Sequence, residues 1–544
     1  QQEGTRIALQ REGSGWKMTE PLQVRASATV LDELLKALGD LEVQQRIEGA
    51  RPGPGFGLSP PVATFTFWAG QAKGEAQGLV LGNETPDGKT VYAGRLGSNE
   101  VILLPREFAD RLRKGVNAFR DRALVSIDRA RTERLSLTYQ DRKLTVVRRD
   151  GGWRVEEPCR ALAGQGEVEA VMDSLLNNPV EEFVADGVTD FAAYGLDHPR
   201  MEFALWERGR GEPLGYAVGN KSKDKAPFER YETFYVRPLG TASVMTLKVA
   251  RADDFVKEIR HLRPRRLLAG AWEGVTRVGV EGPGGGFTAE RGPSNRWEAT
   301  APFPGPLQAA CWNEKMAQPL RQLEALALER VGPARLKALG FDRPLGRIIL
   351  DWEGRRQVLT VGSVDPKTQE AAVTASDEDL LFAVPASVLG ILSQRILELR
   401  DPVALSASLA AFRELIVDGP GGPRVYETQA KGSWVQTKPA LREGELAGLS
   451  ELLGFLSSLR AERWVAFGPQ IPWAEYGLQP PSTVLRFSLI ESDASPRTHV
   501  LELGRRDDKL GGTVYARLDQ ADALMLLPER FPEALEALGR ASAP

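Results

Sequence analysis

The sequence predicts an α+β fold: four tandem copies of one domain, each with an antiparallel meander sheet and two helices. Three observations predict it. W-x-x-x-x-P occurs four times, at Trp16/Pro21, Trp153/Pro158, Trp297/Pro302 and Trp434/Pro439, with the tryptophans 137, 144 and 137 residues apart. A turn centred on Gly57, Gly195, Gly340 or Gly477 follows each Trp by 41 to 43 residues, and Pro61, Pro199, Pro344 or Pro481 stands four positions after that Gly. Between these markers a helix-period leucine stripe alternates with short strand-like runs. Self-similarity at a fixed period signals a repeated structural unit. A chain of 544 residues is too long for one core, and the period divides it into residues 1–128, 129–270, 271–408 and 409–544.

Each repeat opens with a strand, as in Arg134-Leu135-Ser136-Leu137-Thr138 or Arg277-Val278-Gly279-Val280. A second strand follows, Leu144-Thr145-Val146-Val147 in repeat two, and Asp150-Gly151-Gly152 turns it into the Trp strand. The proline ends that strand because it has no amide to give a ladder. An amphipathic helix comes next: Val30, Leu31, Leu34, Leu35, Leu38 and Leu41 in repeat one, and Leu446, Leu449, Leu452, Leu453, Leu456 and Leu459 in repeat four. Steps of three and four place these leucines on one face, which covers a sheet. A short strand (Glu42-Val43-Gln44, Glu182-Phe183-Val184 or Arg463-Trp464-Val465) leads to the glycine turn.

Four closely spaced strands follow, at residues 484–490, 500–503, 513–516 and 523–527 in repeat four and 63–68, 79–81, 91–93 and 101–104 in repeat one. Links this short require antiparallel pairing, so this half is a meander. A second helix, residues 529–538 or 385–399, closes the unit, and the grouping predicts an α+β class. Repeat one begins at the second strand, Ile7-Ala8-Leu9-Gln10, so its first strand is missing or lies upstream. Repeats one to three end in charged knots: Phe119-Arg120-Asp121-Arg122, Leu262-Arg263-Pro264-Arg265-Arg266 and Leu399-Arg400-Asp401-Pro402. Repeat four has none. Guanidinium forks suit carboxylates and carbonyls, so Arg122, Arg265 and Arg400 are the candidate interdomain residues.

Composition narrows the function. The 70 basic and 73 acidic residues nearly cancel, with a net charge of -3, which leaves no electrostatic footprint for nucleic acid. No run approaches the 18 apolar residues of a membrane helix. Gln1-Gln2-Glu3-Gly4 is polar and starts without Met, so the sequence reads as a processed or truncated product without a signal peptide. Two cysteines, Cys159 and Cys311, at different repeat positions read as incidental thiols rather than a disulfide scaffold.

The Trp strand, the leucine helix, the glycine turn with its Pro, the strand ending in Gly (Leu81-Gly82, Val218-Gly219, Val361-Gly362, Leu503-Gly504) and the arginine knot resemble a bacterial repeat domain of unknown function found in auxiliary proteins of gliding-motility-type ABC transport systems. The resemblance covers nearly the whole chain. It implies a periplasmic or extracytoplasmic protein at the face of the inner membrane, held by an N-terminal membrane helix that is not in this sequence. It also implies protein partners among the transporter's membrane subunits or auxiliary proteins. It brings no catalytic residue.

Motifs with chemistry were sought and none stands. Gly82 to Thr90 resembles a phosphate loop, but Gly82 is one residue too far from Gly88-Lys89-Thr90, and a strand follows where a helix N-terminus is needed. It reads as an Asp-Gly hairpin turn. His198, His261 and His499 occupy three different repeat positions, so no zinc spacing exists. Asp377-Glu378-Asp379 reads as a solvated turn, since a calcium loop needs alternating ligands. Trp16, Trp153, Trp297 and Trp434 read as buried core residues. Trp68, Trp206, Trp352, Trp464 and Trp473 are better candidates for binding. No catalytic, metal or cofactor residue is therefore assigned. The expected function is a non-enzymatic extracytoplasmic scaffold or interaction protein. A binding module for a glycan or peptide polymer and a hydrolase with its site in one degenerate repeat stay open as alternatives.

Overall fold

Strand residues outnumber helical residues about two to one, at 45% and 21%. The structure is a computed structural model that describes residues 5–68, 76–222, 230–250, 255–352, 354–429, 432–440, 446, 448–490, 495–507, 509 and 511–540. The polar start, Gln1 to Gly4, lies outside the described residues.

Repeat one contains β1 (Ala8–Glu12), β2 (Gly15–Glu20), β3 (Val24–Ala26), α1 (Ala28–Gly39), β4 (Gln45–Ile47), β5 (Ala63–Phe67), β6 (Gln77–Glu84), β7 (Thr90–Arg95), β8 (Val101–Pro105) and α2 (Arg106–Leu112). Repeat two contains β9 (Thr132–Tyr139), β10 (Arg142–Arg149), β11 (Gly152–Glu157), β12 (Ala161–Ala163), α3 (Gln165–Leu176), β13 (Val180–Ala185), β14 (Met201–Glu207), β15 (Leu214–Lys221), β16 (Glu232–Pro238) and β17 (Val244–Val249). Repeat three runs β18 (Val275–Glu281), β19 (Phe287–Arg291), β20 (Trp297–Ala301), β21 (Gly305–Pro306), α4 (Ala309–Trp312), α5 (Gln318–Arg321), β22 (Ala327–Glu329), α6 (Pro333–Ala338), β23 (Gly346–Trp352), β24 (Arg355–Asp365), β25 (Glu370–Ala375), β26 (Leu381–Pro385), α7 (Val388–Leu392) and α8 (Ile396–Leu399). Repeat four runs β27 (Val403–Ser406), β28 (Phe412–Gly419), β29 (Gly422–Thr428), β30 (Trp434–Lys438), α9 (Leu449–Ser457), β31 (Ser458–Arg460), β32 (Arg463–Phe467), β33 (Thr483–Ile490), β34 (Pro496–Asp507), β35 (Thr513–Leu518), β36 (Ala523–Leu527) and α10 (Arg530–Arg540).

The sheets are large and antiparallel. Among the described residues their orders are β12-β11-β10-β9-β14-β15-β16-β17-β13, β21-β20-β19-β18-β23-β24-β25-β26-β22 and β30-β29-β28-β33-β34-β35-β36-β32. One strand makes each of them continuous. β9 pairs with both β10 and β14, β18 with β19 and β23, and β28 with β29 and β33. The Trp hairpin and the meander are thus one sheet.

This corrects the expected fold class. The chain is mostly β, not α+β, and two helices per repeat do not hold. Among the described residues no α-helix lies between β17 and β18, and the closing segment of repeat three is two short helices, α7 and α8, rather than one over residues 385–399. In repeat three the covering helix is itself interrupted, α4 passing through a π-helical stretch at Asn313–Ala317 into α5, where Pro319 lacks an amide to donate.

The glycine motif has a steric cause. Gly57, Gly195, Gly340 and Gly477 take φ of 65°, 64°, 81° and 69°, a left-handed conformation costly for other residues. Facing them, Gly82, Gly219, Gly362 and Gly504 lie under the carbonyl oxygen just before each turn. A Cβ there would sit 2.1, 2.2, 2.5 and 2.1 Å from the oxygens of Phe56, Tyr194, Leu339 and Tyr476. Turn and strand touch backbone to backbone. Each Trp strand ends at the residue before its proline, and Pro21, Pro158, Pro302 and Pro439 all follow cis peptide bonds. Asp150 and Gly151, both with positive φ, make the two-residue turn between β10 and β11.

The core of repeat four shows how the sheet is covered. Leu449, Leu452, Leu453 and Leu456 of α9 are buried with Leu415, Val417, Phe487, Leu503 and Phe531. Each such side chain contributes about 1.5–3 kcal/mol. By compactness the chain groups into two units: Gln1–Pro158 with Ala163–Leu262, and Cys159–Leu162 with Arg263–Pro544.

Candidate functional site

The most constrained polar chemistry lies in the arginine knots, and the backbone places them. The amide of Ser27 donates to the carbonyl of Phe119 at 2.8 Å, Gly164 to Leu262 at 2.9 Å, and Gln308 to Leu399 at 2.9 Å. Each donor is the residue that caps the first helix after its Trp strand, so each knot is tied to a helix start, where amides lack partners. Phe119, Leu262 and Leu399 are buried. The next residue in each case is an arginine: Arg120, Arg263 and Arg400.

In the first unit, Arg120 is 2% exposed and makes two parallel bonds to Asp186, Nη1 to Oδ2 at 2.8 Å and Nη2 to Oδ1 at 3.1 Å. Its guanidinium lies 3.9 Å above the Phe183 ring, and Ser243 donates to Asp186 Oδ1 at 2.6 Å. In the second unit, Arg263 and Glu378 have fully buried side chains, joined Nε to Oε2 at 2.8 Å and Nη2 to Oε1 at 2.6 Å. Nη1 donates to the carbonyls of Pro264 and Arg266, and the guanidinium lies over Phe382 at 5.0 Å. Arg400 donates to the carbonyls of Phe303 (2.8 Å) and Pro304 (2.6 Å) and stacks 4.4 Å from the Phe467 ring. Burial lowers its guanidinium below the ordinary arginine range. A Cβ on Gly305 would lie 2.0 Å from Arg400 Nη2, so glycine leaves room for the fork. All three arginines combine planar donors with an aromatic face, which lysine cannot do.

Asp377-Glu378-Asp379 is no solvated turn. Each acid takes a different arginine: Asp377 binds Arg355 at 2.7 Å, Glu378 binds Arg263, and Asp379 binds Arg160 through Nη2 at 2.8 Å and Nε at 3.2 Å. Glu378 also accepts from the Leu162 amide at 3.1 Å, and Asp379 from the Arg160 amide at 3.0 Å. Hydrogen bonding from Arg160 holds the Asp379 carboxyl below its usual value, against a smaller opposing effect of burial. The sequence hid this hub because Arg160 and Arg263 stand 219 and 115 residues from their partners.

The residues singled out from sequence are placed as follows. Arg400 is half-buried in its knot, but Arg122 and Arg265 are exposed. Arg122 donates to the carbonyls of Val180 and Glu181 at 2.8 and 3.0 Å, and Arg265 accepts at its own carbonyl from Ala325. The inward arginine is the one beside the buried Phe119 or Leu262. Trp153 is 3% exposed, whereas Trp16, Trp297 and Trp434 are only half-buried, which corrects the expectation of four core tryptophans. In the three large sheets the Trp strand lies at or next to one end, and arginines on the neighbouring strand cover three of the rings: Arg11 over Trp16, Arg148 over Trp153 and Arg291 over Trp297, at 5.9, 5.8 and 5.1 Å. Trp297 also lies 4.8 Å from Trp312.

Of the aromatic binding candidates, Trp68 is 57% exposed. Trp206 is capped by Arg134 at 4.6 Å, Trp352 donates to the Ala271 carbonyl, Trp464 donates to the Asp401 carbonyl, and Trp473 is covered by Arg517 at 4.1 Å. The phosphate-loop look-alike joins β6 to β7 without a helix. Asp87 accepts from Thr85 Oγ1 and the Lys89 amide, which lowers its carboxyl pKa. His499 is buried, with Nδ1 2.8 Å from Asp519. His261 accepts the Glu258 amide, and burial, with Arg260 and Lys257 adding, lowers its imidazole pKa. Cys159 and Cys311 are free thiols, and burial raises that of Cys159. Among the described residues no three His, Cys, Asp or Glu side chains form a metal-binding group.

Comparison with protein families gives one match. The model described as a domain of unknown function, DUF4340, matches residues 16–199, 153–344 and 314–471. No curated protein and no solved structure matches the chain.

Proposed function

The chain belongs to the DUF4340 family, whose domain recurs along it, and from that premise we propose that it is a non-enzymatic extracytoplasmic interaction protein that serves a gliding-motility-type ABC transport system. The observation that carries this reading is the use made of its strongest polar groups. Arg120, Arg263, Arg400 and the acids 377–379 are all bound to one another, to backbone or to aromatic faces. Buried ionic groups spent in this way favour a fixed geometry over proton transfer to a substrate. A repeated β architecture then offers protein partners the same kind of surface several times. The partners proposed are the membrane subunits or auxiliary proteins of the transporter, and the location is the outer face of the inner membrane. No helix among the described residues is long and apolar enough to cross a membrane. The polymer-binding alternative calls for exposed aromatics at matching repeat positions. Trp68 meets that condition, but Trp206 and Trp352 are engaged within the fold.

Affinity purification of the tagged protein from detergent-solubilised membranes tests the reading. Recovery of ABC transporter membrane subunits above an untagged control is expected. Recovery of glycan or peptide polymer in their place would overturn it.

A further inference from the structure

Repeats two and four build the same cluster beside the glycine turn, and only repeat four neutralises it. In repeat four, Arg517 of β35 lies over the Trp473 ring at 4.1 Å, and Tyr476 of the turn packs on Tyr515 at 4.9 Å. In repeat two, Arg237 of β16 lies over Phe191 at 4.2 Å, and Tyr194 packs on Tyr235 at 5.0 Å. The strand registers fix the correspondence: Glu502↔Arg517 and Leu503↔Ala516 match Ala217↔Arg237 and Val218↔Val236. Trp473 and Phe191 each stand three residues before the turn tyrosine. The other two repeats have Gly94 and Thr374 in the arginine's place.

The surroundings differ by three acids. Arg517 donates to the carbonyls of Gln520 (2.5 Å) and Ala521 (2.9 Å), with Asp522 at 3.8 Å and Glu502 at 3.9 Å. The Tyr515 hydroxyl donates to Asp507 at 2.6 Å. The same registers put Ala217, Ser222 and Ala242 where Glu502, Asp507 and Asp522 stand. Among the described residues the Arg237 side chain has no hydrogen-bond or ion-pair partner, and its Nε is buried without one. Glu202, one strand beyond Ala217, is exposed and out of ion-pair range. Phe191, Tyr194, Tyr235 and Arg237 are half-buried and Ala242 is exposed, so the cluster reaches solvent. A guanidinium held against a ring, with a desolvated donor and no acceptor, is a costly arrangement that a carboxylate relieves.

We propose that this cluster of repeat two is a carboxylate-binding site, and that its ligand is an acidic segment of a partner protein. Arg237 takes one carboxylate in the place of Glu502 and Asp522. The Tyr235 hydroxyl donates to a second, as Tyr515 does to Asp507. Tyr235 and Arg237 are alternate residues of β16, so they share a face and stand about 6–7 Å apart, a spacing that suits two side chains better than the oxygens of one small anion. Aromatic rings with an arginine are also the anchors that protein interfaces favour. The proposal rests on the reading of the chain as an interaction protein and names the chemistry of one contact.

The probe is a fluorescently labelled, capped peptide, Glu-Leu-Asp-Glu-Leu, whose anisotropy is read against the full chain. Saturable binding is expected, weakened about tenfold or more by Arg237→Gln and by exchanging the peptide's acids for their amides. Ala242→Asp returns one repeat-four acid to an exposed turn and should weaken binding in the same way, because the site then fills from within. Arg517→Gln should change nothing, since that guanidinium is already occupied. Absence of saturable binding, or binding undiminished in Arg237→Gln or Ala242→Asp, would overturn the proposal. An equal loss in Arg517→Gln would reduce the effect to net charge and overturn it too. Displacement of the peptide by inorganic phosphate at constant ionic strength would assign the site to a small anion, with the same consequence. Transporter co-purification does not depend on this peptide, nor the peptide on the transporter, so the two readings fail separately.

Discussion

Arg263 and Glu378 have no exposed side-chain surface, and a buried charge whose partner is removed is costly. Arg263→Ala or Glu378→Ala is expected to destabilise the second unit by about 3–5 kcal/mol, while Arg263→Met with Glu378→Leu recovers most of that loss. Urea unfolding of the four proteins decides it, and equal losses for single and double variants would contradict the assignment. The Asp379–Arg160 pair gives a smaller effect, because both side chains are well exposed, at 44% and 70%. Hydrogen bonding from Arg160 depresses the Asp379 carboxyl below 3.8. Its stabilisation is therefore complete above 3.8 and is lost as pH falls through the lower folded value. Asp379→Asn should flatten the acid limb of the stability profile below about pH 4 and leave its shape near neutrality unchanged. At this scale the sequence was only half legible. Phe119-Arg120-Asp121-Arg122 announces a knot but offers two arginines, and which one turns inward depends on Asp186 and Phe183, more than sixty residues away.

Elements were legible where the cause is local. The Trp strands, their terminating prolines and the glycine turns can be read because φ and amide donors are properties of single residues. The paired glycines show the steric demand directly. Gly219→Ala puts a methyl 2.2 Å from the Tyr194 carbonyl oxygen and should cost about 2 kcal/mol or more. Gly166→Ala meets nothing within 4 Å; in α3 it should be neutral or stabilising by up to about 1 kcal/mol. Thermal unfolding of both variants compares them, and equal shifts would contradict the close-approach account. The joining strands were the illegible part. Leu135-Ser136-Leu137 reads as a strand, but nothing in it says that β10 lies on one side and β14 on the other. That double pairing turns the expected α+β unit into a mostly β one. The closing helix was misjudged because residues 385–399 carry an apolar stripe that continues through the break at Ser393 to Arg395, where the helix itself stops.

For the whole molecule, repetition was readable from the Trp and Gly spacing, and the family model matches the chain three times, over residues 16–199, 153–344 and 314–471. What the repeats hold was not readable, because their conspicuous residues serve the fold itself. The central claim is that these internal ties keep a partner-binding surface in shape. The double variant Arg120→Ala, Arg400→Ala removes one tie from each unit, the Asp186–Phe183 tie and the Phe303–Pro304–Phe467 tie. Its far-ultraviolet circular dichroism should match that of the intact chain, since the sheets do not depend on either side chain for their ladders. Quantitative co-purification of ABC transporter membrane subunits with the intact chain and with this variant tests the claim most directly. Recovery by the intact chain and a loss of about tenfold or more in the folded variant, some 1.4 kcal/mol of binding, is the result predicted. Undiminished recovery by the variant, or no transporter subunit recovered by the intact chain, would contradict it.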